Sequence, residues 1–416
     1  MTAAIGTIRD ERSRGEAMTE AVQTQRSAGS GVWLAVMLGI VWACVVALAL
    51  TAATLAGISP EGPDEWTYDW RTLFFSQNAE RPRDDIAIVL IDEDSMRDYD
   101  YISPLDRGLQ AKLLQAIDAA APKAVGLDFI FDRKSEDGKT QGLIDAIKTM
   151  RSPIVFGAID SRVRGFKADD LKYQEDFIAK TGREAGHVFF ARQLDQLKIG
   201  DQVVRFMGER APAPPHRKSI AQLLVEKAGA TSPSEPASSY IAWLQPPRGA
   251  DLFPLFRVPR HKPDAGAETI LPESWRPALR GKIVLIGGDF VDRDKHLTPF
   301  SVLDGAKMPG VVVQAQILAQ LRDGRSIHEV SWDVELALLA VVALLGFMVS
   351  RFFSVKRYDW LVYLCGLAVL VILGVVLFST YAIIIPSTSL FFAWTAGVTG
   401  GHYAETVARK LRFARS

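Results

Sequence analysis

The chain has 416 residues, enough for two or three structural units, and its 48 Lys and Arg balance its 48 Asp and Glu. Zero net charge gives no electrostatic footprint for nucleic acid, so no nucleic-acid partner is expected. The only two cysteines, Cys44 and Cys365, lie in apolar runs. That excludes a disulfide framework or a thiolate metal site from the polar middle of the chain.

In chain order, residues 1–30 carry Arg9, Arg12, Arg14 and Arg26 and are expected to form a disordered cytoplasmic segment. No charged residue occurs from Ser27 to Pro60. A membrane helix is expected over 31–58, because about 20 apolar residues cross a hydrocarbon core of about 30 Å. A signal peptide would have a shorter apolar region of about 7–15 residues.

Residues 59–331 read as one outer domain. IAIVLID (86–92) is apolar on both faces, as a buried parallel strand is. A helix follows over 107–121, with Leu109, Leu113 and Ile117 at helical spacing. AVGLDFIF (124–131) reads as strand, 140–150 as helix and 153–160 as strand. Loops rich in Pro and Ser at 211–217 and 231–239 flank a helix over 219–230. KIVLIGG (282–288) restores the buried-strand pattern, and a helix over 310–324 ends on Gly324. The alternation predicts an α/β fold, a mainly parallel, doubly wound sheet.

Three further spans are expected, at 332–353, 360–379 and 386–403; Asp, Glu, Lys and Arg are absent from Trp360 to Ala404. Pro386 breaks the last two. Arg351, Lys356 and Arg357 lie between the second and third spans, and Arg409, Lys410, Arg412 and Arg415 lie in the tail, 404–416. With one N-terminal and three C-terminal helices, every basic segment faces the cytoplasm and the large domain faces outward. The expected location is the plasma (inner) membrane, multi-pass, with both termini cytoplasmic. The tail either contacts lipid headgroups or extends the last span as a short helical stalk. No ionisable residue sits deep in any span, which argues against a transporter.

DGKTQG (137–142) follows a strand, but a phosphate loop needs glycine where Arg133 stands, so it reads as a solvated turn. Carboxylates follow the strands: Asp92, Glu93 and Asp94, then Asp128, then Asp160, then Asp289, Asp292 and Asp294. Ligands of open parallel sheets bind at the carboxyl ends of strands, yet Asp also caps helices and turns with no ligand. Asp128 interrupts an apolar strand and needs a partner if buried; Arg71 and Arg107 are the candidate cations. Asp92, Glu93, Arg107, Asp128 and Asp294 are therefore the ligand-binding or structural candidates. No GxSxG, HExxH or GxGxxG is present, and the six histidines, His296 among acids included, form no ligand pair. Neither a catalytic residue, nor a metal site, nor a cofactor is expected. Ala393, Gly397 and Gly401, four residues apart, suit close helix approach, as in a homodimer.

These features together resemble the second class of CHASE domains, the cyclase/histidine-kinase-associated sensory extracellular domains of bacteria. The resemblance rests on YDWRTLFF (68–75), DIAIVLIDEDS (85–95), AVGLDFIFD (124–132), LRGKIVLIGG (279–288), Thr298-Pro299 and MPGVVVQAQIL (308–318), in this order between spans. Asp69, Arg71, Pro104, Gly287, Pro309 and Gly310 are its motif positions. The chain departs from the pattern at YISPLDRG, which keeps Pro104 and Arg107 without the usual tryptophans, and at Gln314, where His is usual. The resemblance implies a sensory input domain for an outer ligand. It also implies a cytoplasmic output such as a kinase or cyclase, here expected in trans because about a dozen residues follow the last span. Two other readings stay open at this level: an envelope assembly or scaffold protein, and an extracytoplasmic hydrolase.

Overall fold

The computed structural model describes residues 33–54, 61–161, 163, 165–190, 203–208, 215–231, 240–263, 266–267, 270–291, 294–353 and 359–413. The expected loops at 231–239 and most of 211–217, and the tail beyond Phe413, lie outside the described residues. The helices are α1 (Trp33–Thr54) and α2 (Glu61–Phe75), α3 (Arg107–Ala119), α4 (Asp137–Thr149), α5 (Ala168–Thr181), α6 (Ile220–Lys227), α7 (Trp275–Leu279), α8 (Gly310–Asp323), α9 (Trp332–Phe353), α10 (Asp359–Tyr381) and α11 (Ser387–Phe413). The chain falls into two compact units, residues 1–67, 330–377 and 384–416, and residues 68–329 with 378–383.

In the first unit, three helices among the described residues are long and apolar enough to cross a membrane: Trp33–Thr54, Trp332–Phe352 and Trp360–Tyr381. The fourth expected span falls within α11, where Ser, Thr, Gly and His dilute the apolar run, and it does not join that set. The break at Pro386 separates α10 from α11 as expected, and α11 continues unbroken from its apolar stretch into the basic tail. The small-residue stripe is filled within the chain. Gly397 lies against the Ala343 carbonyl, Gly401 against the Phe347 carbonyl and Gly346 against the Trp394 carbonyl, so α9 and α11 meet backbone to backbone. Trp42 Nε1 donates to Ala396 O at 3.0 Å, tying α1 to α11.

In the second unit, β1 (Ile86–Ile91), β2 (Ala124–Leu127), β3 (Ile154–Ala158), β4 (Glu184–His187), β5 (Leu255–Arg257) and β6 (Ile283–Gly288) form one sheet in the order β4-β3-β2-β6-β1-β5. Every pairing is parallel. The late strand β6 sits between β1 and β2, matching Ile86 to Ile283 on one side and Ala124 to Ile283 on the other.

Burial on both faces explains the unbroken apolar runs. Val89, Ile91, Leu127, Phe156 and Ile286 pack with Leu109, Leu113 and Ile117 of α3, Leu143 and Ile147 of α4 and Phe177 of α5. Elsewhere glycines make room for helices: Leu224 of α6 presses on Gly126, and Val311 of α8 presses on Gly287. Gln316 and Gln320 of α8 satisfy the 240–244 segment as a strand would. Gln320 accepts from Ala242 N (2.6 Å) and donates to Tyr240 O (3.1 Å); Gln316 accepts from Leu244 N (3.1 Å) and donates to Leu244 O (2.9 Å).

Two readings of local structure are corrected. Strand β2 stops at Leu127, four residues before the end of the apolar run, because 128–131 leave the sheet. DGKTQG is no turn: it forms the first turns of α4, with Glu136 at the N-cap.

Candidate functional site at the carboxyl ends of the strands

Because every strand of the sheet is parallel, all carboxyl ends open at one edge. The structure sorts the carboxylates there into two kinds.

Asp92 accepts from Ser95 N and Oγ, both at 2.9 Å, and from Arg257 at 3.3 Å. Burial alone would raise its pKa, but those hydrogen bonds outweigh it and hold the carboxyl below the usual range. Asp289 pairs with Arg257 (2.6 Å) and Lys295 (3.1 Å). Glu93 accepts from Val291 N at 2.5 Å, and Asp94 pairs with Arg97 at 3.2 Å. These groups are bonded to neighbouring turns and loops.

Asp128 and Asp294 differ. Asp128 follows β2, its N–H donating to Ile286 O at 2.8 Å. Its expected partners are elsewhere: neither Arg71 nor Arg107 reaches it, and no cation among the described residues does. The reason is geometric, since the Arg107 head is engaged beside α4 and α5. Burial and the nearby Asp294 carboxylate push the Asp128 pKa well up, although the side chain keeps intermediate accessibility.

Asp294 sits in the left-handed region at φ 54°, which Asp tolerates. Its side chain occupies the space beside Gly310 that a methyl group would need. Gly310 N donates to Asp294 O at 2.9 Å, and β7 (Lys295–His296) pairs with β8 (Met308–Pro309), so Pro309 leads straight into α8. His296 Nε2 lies 3.2 Å from Asp294 Oδ1, its ring edge-on to Phe190.

Beside this pair, a cavity of about 140 Å³ opens between the start of α3 and the segments following β2 and β6. Pro104, Arg107, Gln110, Phe129, Phe131 and Phe290 line it. Asp106 caps α3 by accepting from Leu109 N (2.9 Å) and pairs with Lys139 (2.8 Å). Arg107, next in sequence, is 2% exposed. Its guanidinium donates to Thr140 Oγ1 (2.9 Å), Tyr173 OH (2.6 Å) and Arg133 O (2.6 Å) and lies 5.8, 5.4 and 5.1 Å from the ring centres of Phe131, Tyr173 and Phe177. No carboxylate among the described residues neutralises it. Gln110, 4% exposed, donates to Leu105 O at 3.2 Å, while its Oε1 has no hydrogen-bond partner among the described residues.

Of the sequence candidates, Arg107 and Pro104 line the cavity, Asp128 and Asp294 form the carboxyl pair, and Asp92 and Glu93 bond to Ser95, Arg257 and Val291. Gly287 makes room for Val311. Asp69 belongs to a separate cluster: Arg205 grips it bidentately at 2.8 and 2.7 Å, and the neighbouring Tyr68 OH donates to Ile241 O at 2.8 Å. Arg71, on the same helix, is buried. Gln314, at the usual His position, donates to Val188 O at 3.3 Å. Sequence reasoning missed Gln110, Phe129 and Phe290. Gln110, three residues after Arg107 on one helical face, was the signal available.

Among the described residues no group of three or more His, Cys, Asp or Glu is placed to hold a metal ion. The chain is thus an α/β domain with a strand-end cavity, bracketed in sequence by helices long and apolar enough to cross a membrane. The CHASE2 domain family matches residues 43–349, about three quarters of the chain. The chain belongs to that family, the second class of CHASE sensory domains, which are extracellular. No curated protein and no solved structure matches it.

Proposed function

We propose that the chain is a bacterial membrane sensor. Its outer α/β domain registers a small ligand at the carboxyl ends of the strands, and its membrane helices pass the change to a cytoplasmic effector such as a kinase or cyclase. The observation that carries this reading is the CHASE2 match, which begins inside α1 and ends inside α9, so that a sensory domain is fused at both ends to apolar helices. A ligand shifts such a protein only by binding two of its states unequally. The α9–α11 contact, built on Gly346, Gly397 and Gly401, offers a tightly packed element for that shift to act on.

The basic segments flanking the spans support a cytoplasmic side for the 354–358 loop and an outer side for the α/β domain.

Two measurements test it. A membrane-impermeant maleimide, applied to intact cells, should label Asp251→Cys in the outer domain and spare Arg357→Cys; the reverse pattern sinks the orientation. Crosslinking in native membranes followed by mass spectrometry should recover a kinase or cyclase, and recovery of cell-wall machinery alone sinks the sensor reading.

A further inference from the structure

The cavity beside α3 carries two unmet demands. Arg107 has five N–H donors and gives three of them to Thr140, Tyr173 and Arg133 O. All three acceptors are neutral, and a buried guanidinium facing only neutral acceptors and rings lacks the anion that would offset its desolvation. Gln110 lines the same cavity with a buried amide oxygen that accepts nothing, an arrangement that costs free energy until a donor arrives. Both residues belong to the first turn of α3, a helix of 13 residues whose N-terminal dipole also favours negative charge. Asp132 and Arg133 also line the cavity and pair with each other at 2.7 Å, so the Asp132 charge that would oppose an anion is offset by its neighbour. Phe129, Phe131 and Phe290 supply an apolar wall. The volume of about 140 Å³ is on the scale of a cavity that admits a single benzene ring.

We infer that this cavity binds a small organic monocarboxylate carrying a hydrogen-bond donor next to its carboxylate, a 2-hydroxy or 2-amino acid. The carboxylate meets Arg107 and the start of α3, the donor satisfies Gln110 Oε1, and the remainder packs on the phenylalanines. The inference deepens the sensor reading by naming what its cavity takes. Binding is measured without any output, so its failure leaves orientation and effector coupling to stand or fall by their own tests.

The experiment uses the full chain in nanodiscs of zwitterionic lipid and three single-ring probes: mandelate, phenylacetate, which lacks the hydroxyl, and mandelamide, which lacks the charge. Affinities come from saturation-transfer NMR titration. Mandelate should bind about threefold to tenfold more tightly than phenylacetate, the worth of one hydrogen bond, and at least tenfold more tightly than mandelamide. Gln110→Leu should lower mandelate to the level of phenylacetate and leave phenylacetate unchanged. Ile102, 39% exposed at the cavity lip, provides a variant that spares the core: Ile102→Trp should block all three probes. The inference is overturned if mandelate does not bind, if mandelamide binds as well as mandelate, or if Ile102→Trp leaves mandelate binding intact.

Discussion

Replacing Asp128 by Asn removes an ionisable carboxyl that no cation among the described residues reaches, and keeps the side-chain volume. Burial and the Asp294 carboxylate both disfavour the ionised form, so the folded state holds the Asp128 proton to higher pH than the unfolded chain does. Between the ordinary carboxylate range near pH 4 and the raised folded pKa, the native state binds more protons than the unfolded one. The stability associated with this group is therefore fully present below about pH 4. It declines by about 1.4 kcal/mol per pH unit until the folded pKa is passed. Asparagine undergoes no such decline, and titrations elsewhere cancel in the difference between variant and parent. For a domain of about 250 residues, 1 kcal/mol moves the midpoint by roughly 2–4 °C. Near pH 4 the Asn variant should melt with the parent, and each further pH unit should widen its advantage by about 3–5 °C until the parent carboxyl ionises. Thermal unfolding followed by tryptophan fluorescence, from pH 4 to pH 7.5 in one detergent, measures the gap. A gap that does not change with pH, or an Asn variant less stable at pH 7, refutes the view of Asp128 as a buried carboxyl without a cation.

Arg205→Met leaves Asp69 buried without its bidentate partner and should cost about 3–5 kcal/mol; the double variant with Asp69→Leu should recover a large part of the loss in urea titration. Gly287→Ala drives a methyl group into Val311 of α8 and should destabilise by about 1–3 kcal/mol, seen as a lower melting midpoint of the outer domain. Gly397→Leu pushes against the Ala343 backbone and should separate α11 from α9, measured as a shorter lifetime in detergent at fixed temperature with the outer domain's own transition unchanged.

The sheet was legible because its strands are buried on both faces, so IAIVLI, AVGL and IVLIGG stand out against amphipathic helices. The position of β6 between β1 and β2 was not, since strand order depends on which faces α6 and α8 cover, and periodicity is blind to that. Strand β5 escaped notice because three residues, LFR at the sheet edge, carry no pattern. The helical course of DGKTQG was hidden by its two glycines, whose entropic cost is outweighed by Leu143, Ile144 and Ile147 packing in the core a turn later.

The acidic cluster after the strands shows where chain order stops informing a site. In sequence, Asp92 and Asp289 follow apolar strands while Asp128 interrupts one, and chain order names no partner for any of them. In the fold they part company because of residues far along the chain: Arg257, 165 positions after Asp92, reaches both Asp92 and Asp289, while no cation among the described residues reaches Asp128. Arg107 presents the converse case, a cation whose expected acid is absent and whose head is instead framed by a hydroxyl, a phenol, a carbonyl and three rings. A fold that needed only stability would join the buried cation to the buried acid, since each carries the charge the other lacks. Keeping them apart favours the protonated form of one carboxyl and leaves one guanidinium without an anion among the described residues. Under the sensor proposal, that separation leaves the electrostatics of this edge for a bound solute to complete.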